Sequence, residues 1–156
     1  MSEFKLMRPT QKTKLRGDFV LLRADSLRLL LPQRDVISTE YRDRVPATTA
    51  ASGLFVLTDA QGMQRPVAAL SGDMTLMERF PEDRFLLTRI SGADQQPALA
   101  WNEVQVLMDT ELEFHAMPAA TQNRDGPIEA YVEIGRELAF CTTAHRMLPA
   151  ALTLQD

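Results

Sequence analysis

Apolar and polar positions along this chain change over in short blocks, not at helical spacing. Across residues 84–109 (RFLLTRISGADQQPALAWNEVQVLMD) an apolar run at 85–87, closing at Ile90, meets a Ser-Gly-Ala-Asp turn. A second run follows through Leu99 to Trp101, and Asn102-Glu103-Val104 leads round a polar corner into a third. Apolar runs of this length bounded by turn residues predict strands. Residues 19–37 (FVLLRADSLRLLLPQRDVI) have the same order, with Ala24-Asp25-Ser26 as the turn and Pro32-Gln33-Arg34-Asp35-Val36 as the corner. Proline suits the first helical position and aspartate the positive end of the helix dipole, so Gln33-Arg34-Asp35 is expected to form one helical turn. A further hairpin follows each unit, at 53–70 and at 128–144. The chain therefore reads as one pattern used twice, a repeat of grammar with little identity between its halves.

The connecting stretches are distinct in composition. Residues 41–52 (YRDRVPATTAAS) are poor in large apolar side chains and read as a surface loop, and 113–129 (EFHAMPAATQNRDGPIE) read as a second long loop. The first hairpin turns at Asp59-Ala60-Gln61-Gly62 and the second at Gly135-Arg136-Glu137. Residues 71–82 (SGDMTLMERFPE) are expected to be a linker with one helical turn, started by Asp73 and stopped by Pro81, whose Met74, Met77 and Phe80 cap the adjoining β-structure. The end, AHRMLPAALTLQD, reads as a short amphipathic helix broken at Pro149, then a frayed tail. Leu29, Leu31, Leu86, Trp101, Val132 and Phe140 are the expected core. The Trp101 indole N–H requires a partner, and a seam between two lobes suits it.

At 156 residues, 45% hydrophobic and 24% charged, the chain has the make-up of a globular domain or two intimately packed lobes. No apolar stretch reaches membrane-span length, and the opening residues lack the apolar segment of a secretory signal, so a cytoplasmic protein without membrane insertion is expected. Residues 1–17 carry Lys5, Arg8, Lys12, Lys14 and Arg16 against Glu3, a local balance of +4 that leaves −8 on the remainder of a chain of net charge −4. This basic segment is expected to be a flexible, solvated arm; contact with an anionic partner is the alternative.

Sites for chemistry are scarce. There is no Walker loop, dinucleotide fingerprint, HExxH, CxxC or nucleophile elbow. His115 and His145 lie in different segments without metal-like spacing, and the one cysteine, Cys141, stands between Phe140 and Thr142 in a predicted strand, where a buried structural thiol is expected. The carboxylate pairs Glu82-Asp83 and Glu111 with Glu113 fall at predicted element ends and read as solvated. No catalytic residue, metal or cofactor is expected.

Hairpin, proline corner, strand, loop and hairpin, repeated over about residues 19–148, resemble the CheW-like domain of bacterial chemosensory adaptors and of their histidine kinases' regulatory domain. The resemblance rests on FVLLRADSLRLLLPQRDVIS, on RFLLTRI with ALAWNEVQVLMD, and on YVEIGRELAFCTTAHRML. It implies a mainly β fold of two five-stranded, SH3-like barrels packed side by side with short helical turns: a single domain over 18–148, its first barrel about 18–80 and its second about 84–144, strand exchange between them left open, after an arm at 1–17 and before a tail at 149–156. It also implies a non-catalytic adaptor that binds a histidine kinase regulatory domain, the cytoplasmic tip of a chemoreceptor, or both. The family's contact turn, Asn-Leu-Arg-Gly with a proline soon after, falls on Asp59, Ala60, Gln61 and Gly62 with Pro66 at the same spacing. Only the glycine and proline are kept, and Ala69 stands for the following strand's aspartate. Loss of the arginine's fork of donors implies a divergent or accessory member, such as one serving pilus motility, with Arg65 the nearest cation. Asp59, Gln61, Gly62, Arg65 and Pro66 are the expected partner-binding residues.

Two other classes fit the sequence less well. A small-molecule-binding or enzymatic β-barrel requires a pocket of convergent polar groups, which the scarcity of His, Cys and Gly-rich loops disfavours. A nucleic-acid-binding barrel is disfavoured by the acidic body and by only 6% aromatic residues. Oligomeric state is left open.

Overall fold

The computed structural model describes residues 12–91, 97–117, 128–144 and 147. These are mainly β, with eleven strands: β1 (Lys12–Ala24), β2 (Leu27–Pro32), β3 (Val36–Tyr41), β4 (Ala47–Thr48), β5 (Phe55–Thr58), β6 (Gln64–Ala68), β7 (Leu86–Ile90), β8 (Ala98–Trp101), β9 (Glu103–Ala116), β10 (Ala130–Ile134) and β11 (Glu137–Cys141). A 3-10 turn at Gln33–Asp35 makes the corner before β3, as its proline start predicts. Strands β1, β2, β11, β10 and β9 close into a barrel, and the others form a sheet in the order β3-β7-β8-β6-β5-β4.

The two sheets are assembled by one rule, with strands traded between the halves of the chain. β1 pairs antiparallel with β2 and β9, just as β7 pairs with β8 and β3. The β10–β11 hairpin joins its sheet through a parallel β11–β2 pairing, and the β5–β6 hairpin through a parallel β6–β8 pairing. Residues 80–84 thus separate the repeats in sequence but not the sheets in space. The sixth strand of the second sheet has a simple origin. β4 pairs with β5 through Ala47↔Val56 and Thr48↔Phe55, the place that His115↔Tyr131 and Ala116↔Ala130 hold where β9 closes onto β10. β3 and β4 are therefore one barrel strand interrupted at residues 42–46, and residues 41–52, expected as one loop, hold this nick and the short strand beyond it.

Three apolar clusters follow from strand alternation. Leu21, Leu30, Phe114, Val132, Ala139 and Cys141 fill the closed barrel; Leu57, Val67, Ala69, Leu87 and Ala100 line the inside of the second sheet. The largest lies between the sheets and joins Val20, Leu22, Leu29 and Leu31 to Leu70, Ile90, Leu99, Trp101 and Met147. Trp101 is fully buried at this seam, its Nε1–H donating to Thr88 Oγ1 at 2.7 Å. Leu29, Leu31 and Val132 are buried as expected, whereas Leu86, the first residue of β7, and Phe140, which packs against the seam cluster from its margin, are only half-buried. Cys141 is buried, and burial, with the Glu129 carboxylate adding to it, pushes its thiol far above its usual range.

Several expectations are corrected by pairing. Residues 12–17, expected in a flexible basic arm, are the first half of β1. Lys14 lies opposite Glu113 and Arg16 opposite Glu111, so β9 supplies the acids that balance this segment; Lys5 and Arg8 lie outside the described residues. Glu113 to Ala116, expected in a loop, continue β9, because alternation carries Phe114 and Ala116 inward and Glu113 outward. The 71–82 linker contains no helical turn. Met74 and Leu76 enter the seam while Met77 and Phe80 pack on the second sheet's inner cluster, and a helix would place them on one stripe. Met74 N–H bonds to Ser71 O (2.9 Å) and Ser71 N–H to Thr75 O (2.8 Å) in their place. Ala144 and Met147 are helical, with Met147 N–H on Thr143 O at 2.8 Å; the tail after 148 lies outside the described residues.

Polar groups lock the seam reciprocally. The corner of the second repeat grips the turn of the first: Asn102 Oδ1 accepts from Asp25 N–H at 2.6 Å, and Asn102 N–H donates to Arg23 O at 2.7 Å. The corner of the first grips the turn of the second, with Asp35 O accepting from Ser91 N–H at 2.8 Å, while its Oδ2 accepts from Ala144 N–H at 2.9 Å. Arg84 is wholly buried here. It donates to Leu70 O (2.7 Å), Ala100 O (3.5 Å) and Asp25 Oδ2 (3.1 Å), and its Nε lacks a partner. Asp25 itself is exposed and holds a positive φ of 56°, which asparagine also tolerates. Asp25→Asn is therefore expected to cost about 2 kcal/mol, because it strands a buried guanidinium, whereas Glu103→Gln, which breaks an exposed pair with Arg23, stays within about 0.5 kcal/mol. Urea midpoints of the two variants check this; equal small effects would contradict it.

Candidate functional site

The five expected partner-binding residues lie together on the β5–β6 hairpin. Asp59 organises its tip: Oδ1 accepts from Gln61 N–H and Met63 N–H, both at 2.9 Å, while Asp59 N–H donates to Met63 O (2.9 Å) and Asp59 O accepts from Gly62 N–H (3.0 Å). Gly62 takes the left-handed φ of 82° that the turn requires, with open space where a Cβ would sit. Gln61 and Pro66 are exposed. Arg65 departs from the expectation of a cation on the turn. Opposite the buried Leu57 in the ladder, it forms an ion pair with Glu40 of β3, and its Nε is buried without a partner. The tip thus presents backbone, an amide and Met63, and the hairpin's own guanidinium, Arg65, ties β6 to β3.

Beside this hairpin, at the nick in the second sheet, lies a feature the sequence did not disclose. The Arg42 guanidinium sits 5.2 Å from the Phe80 ring centroid and 4.8 Å from that of Phe85, and Phe85 stacks on Tyr41 with centroids 5.7 Å apart and planes within 12°. Arg42 donates Nε to Arg84 O (2.7 Å), Nη1 to Arg44 O (3.0 Å) and Nη2 to Glu82 O (2.9 Å), which binds the 42–44 and 82–85 backbones into one unit. Burial lowers its pKa from the usual range, and Tyr41 and Glu82 act in the opposite direction. Arg44 Nη1 reaches Thr58 O at 3.3 Å, one residue before Asp59, so the nick and the hairpin tip adjoin. Tyr41, Val45 and Met63 are 69%, 71% and 65% exposed.

With two strand-exchanging sheets and this turn in place, the likeness to known structures is informative. The chain has a CheW-like fold. Over 82% of its length and 89% of the other's it superposes with TM-score 0.52 and 16% identity on the scaffolding protein TtCheW from Thermoanaerobacter tengcongensis. No protein-family model and no curated protein sequence matches. Among the described residues no helix is long and apolar enough to cross a membrane. No group of three or more His, Cys, Asp or Glu side chains among them is placed to hold a metal ion.

The turn could be proposed from the sequence, whereas the aromatic stack could not. Turn spacing survives substitution, but Tyr41, Phe80 and Phe85 come from separate segments and signal only weakly, as aromatic side chains each close to an arginine: Tyr41-Arg42, Phe80 near Arg84, and Arg84-Phe85. At the tip, the acceptor is what matters to the backbone. Asp59→Asn is expected to keep stability within about 0.5 kcal/mol, and Asp59→Ala to lose about 1–2 kcal/mol by freeing two N–H groups. Chemical denaturation of both variants decides it, and equal losses would make the carboxylate's charge, not its acceptor geometry, the operative property.

Proposed function

We propose that this chain is a non-catalytic, cytoplasmic adaptor of a bacterial chemosensory system, a divergent or accessory CheW-like protein that needs no cofactor. It bridges or modulates a histidine kinase regulatory domain, a chemoreceptor tip, or both, and a pilus-motility array is one setting. The observation that carries this reading is the strand-exchanged pair of β-sheets, shared over most of both chains with a scaffolding protein. The turn adds support: Gly62 holds the left-handed conformation, and an Asp59 acceptor stands where the family's pattern has asparagine. Contact runs through the hairpin tip at Asp59, Gln61, Gly62 and Pro66. Arg65 contributes through its pair with Glu40, which fixes β6 against β3.

The test is capture of a kinase regulatory domain and a receptor tip from the same genome by the full chain. Capture by wild type, reduced by Gln61→Ala, which melts as wild type does, and by Arg65→Ala, which loses the strand-fixing pair with Glu40, is the expected result. Undiminished capture by both would move the interface elsewhere. No capture of either partner by wild type would overturn the chemosensory assignment and leave the fold.

A further inference from the structure

Phe80, Arg42, Phe85 and Tyr41 form four layers of alternating ring and cation, ring and ring, and the stack stops at Tyr41. Among the described residues no ring or cation is placed over the outer side of Tyr41, which is 69% exposed at the end of β3. Behind it the stack is held rigid by three donations from Arg42 to backbone carbonyls. An exposed aromatic ring on an immobile base loses little freedom on binding, the property of an interface anchor. Asp43 and Glu82, exposed carboxylates, lie in the two segments that Arg42 joins, and Asp83 beside them accepts from Asn102; of the exposed cations in these stretches, Arg44 turns its Nη1 to Thr58 O and Arg79 precedes Phe80, at the other end of the stack from Tyr41. The outer end of the stack thus offers the Asp43 and Glu82 carboxylates, with Val45 exposed in the same segment and Met63 on the adjoining hairpin tip. A nucleobase would also stack on Tyr41, but its phosphates would meet these carboxylates.

We propose that the outer face of Tyr41 receives an arginine side chain from a protein partner, its guanidinium forming the next layer of the stack and its charge facing the carboxylates of Asp43 and Glu82. This rests on the reading of the chain as a protein-docking adaptor, and extends its interface from the hairpin tip across the Arg44–Thr58 link. Arginine fits better than lysine because a planar guanidinium stacks on a ring while keeping its edge donors for carboxylates.

The probe is a blocked pentapeptide alternating leucine and arginine, titrated into the full chain with the Tyr41 and Phe85 ring resonances followed by NMR. A second peptide has citrulline, the neutral isostere, in place of arginine. Shifts centred on Tyr41, at least threefold weaker with citrulline, about threefold weaker in Tyr41→Ala and retained in Tyr41→Phe, are expected. Because Tyr41 is exposed, Tyr41→Ala should melt as wild type does. Equal affinity for the two peptides, no binding of the arginine peptide, or indifference to Tyr41→Ala would overturn the proposal. So would self-association of wild type that Tyr41→Ala abolishes, since the occupant would then be a second copy. If the arginine peptide titrates Tyr41 but neither chemosensory partner is captured, the chemosensory assignment fails and this site stands. If partners are captured equally by wild type and Tyr41→Ala and the peptide is silent, this site alone fails.

Discussion

The Arg84 guanidinium carries its charge with no exposure to water, and the mutual placement of the two sheets depends on where its donors end. A buried cation is tolerated when carbonyls and a carboxylate meet it, and here they come from both sides of the seam: Leu70 and Ala100 from the second sheet's half and Asp25 from the closed barrel's first turn. Apolar contact around Trp101 supplies the attraction between the sheets, but such contact tolerates sliding. Hydrogen bonds at Arg84, Asn102 and Asp35 have single geometries. They turn two sheets that share a core into one body with one orientation. Reciprocal strand exchange strengthens this, since neither sheet can leave without unpairing strands of the other half.

What differs between the two repeats is as informative as what they share. In the closed barrel β9 passes its irregular point at Asp109, where φ is 47°, and runs on to pair with β10. In the second sheet the corresponding strand breaks between β3 and β4. The break frees residues 42–46 from the ladder, and Arg42 turns inward to satisfy three carbonyls that the lost pairing leaves nearby. Tyr41, Val45 and the hairpin tip are left outward. A nick in a barrel thereby becomes a rigid, partly apolar surface, next to the turn whose spacing resembles a family contact site. The proposed docking role has its physical basis in that local failure of pairing.

The repeated pattern was legible because strand alternation and turn residues act locally. The Gln33–Asp35 turn, the two hairpins, the buried Leu29, Leu31 and Val132, and the seam position of Trp101 all follow from neighbours in sequence. Long-range pairing was not legible. Lys12 to Gly17 look like a solvated basic arm until Glu111 and Glu113 are set opposite them, and Glu113 to Ala116 look like loop until β1 and β10 flank them. Arg65 looks like a turn cation until Glu40 is brought to it from a strand three positions away in the sheet order. Arg84 opens an apolar run and gives no sign that it will be buried. Composition names a segment's habit, and tertiary partners overrule it.

The proposed docking role requires that the nick and the hairpin tip form the face that meets a partner. Amide hydrogen exchange of the chain, alone and saturated with the kinase regulatory domain of its own genome, measures this directly. New protection confined to residues 41–46, 59–66 and 82–85, with β1, β2, β9, β10 and β11 unchanged, is the expected result. Protection falling on the closed barrel, with those three segments exchanging as in the free protein, would contradict it.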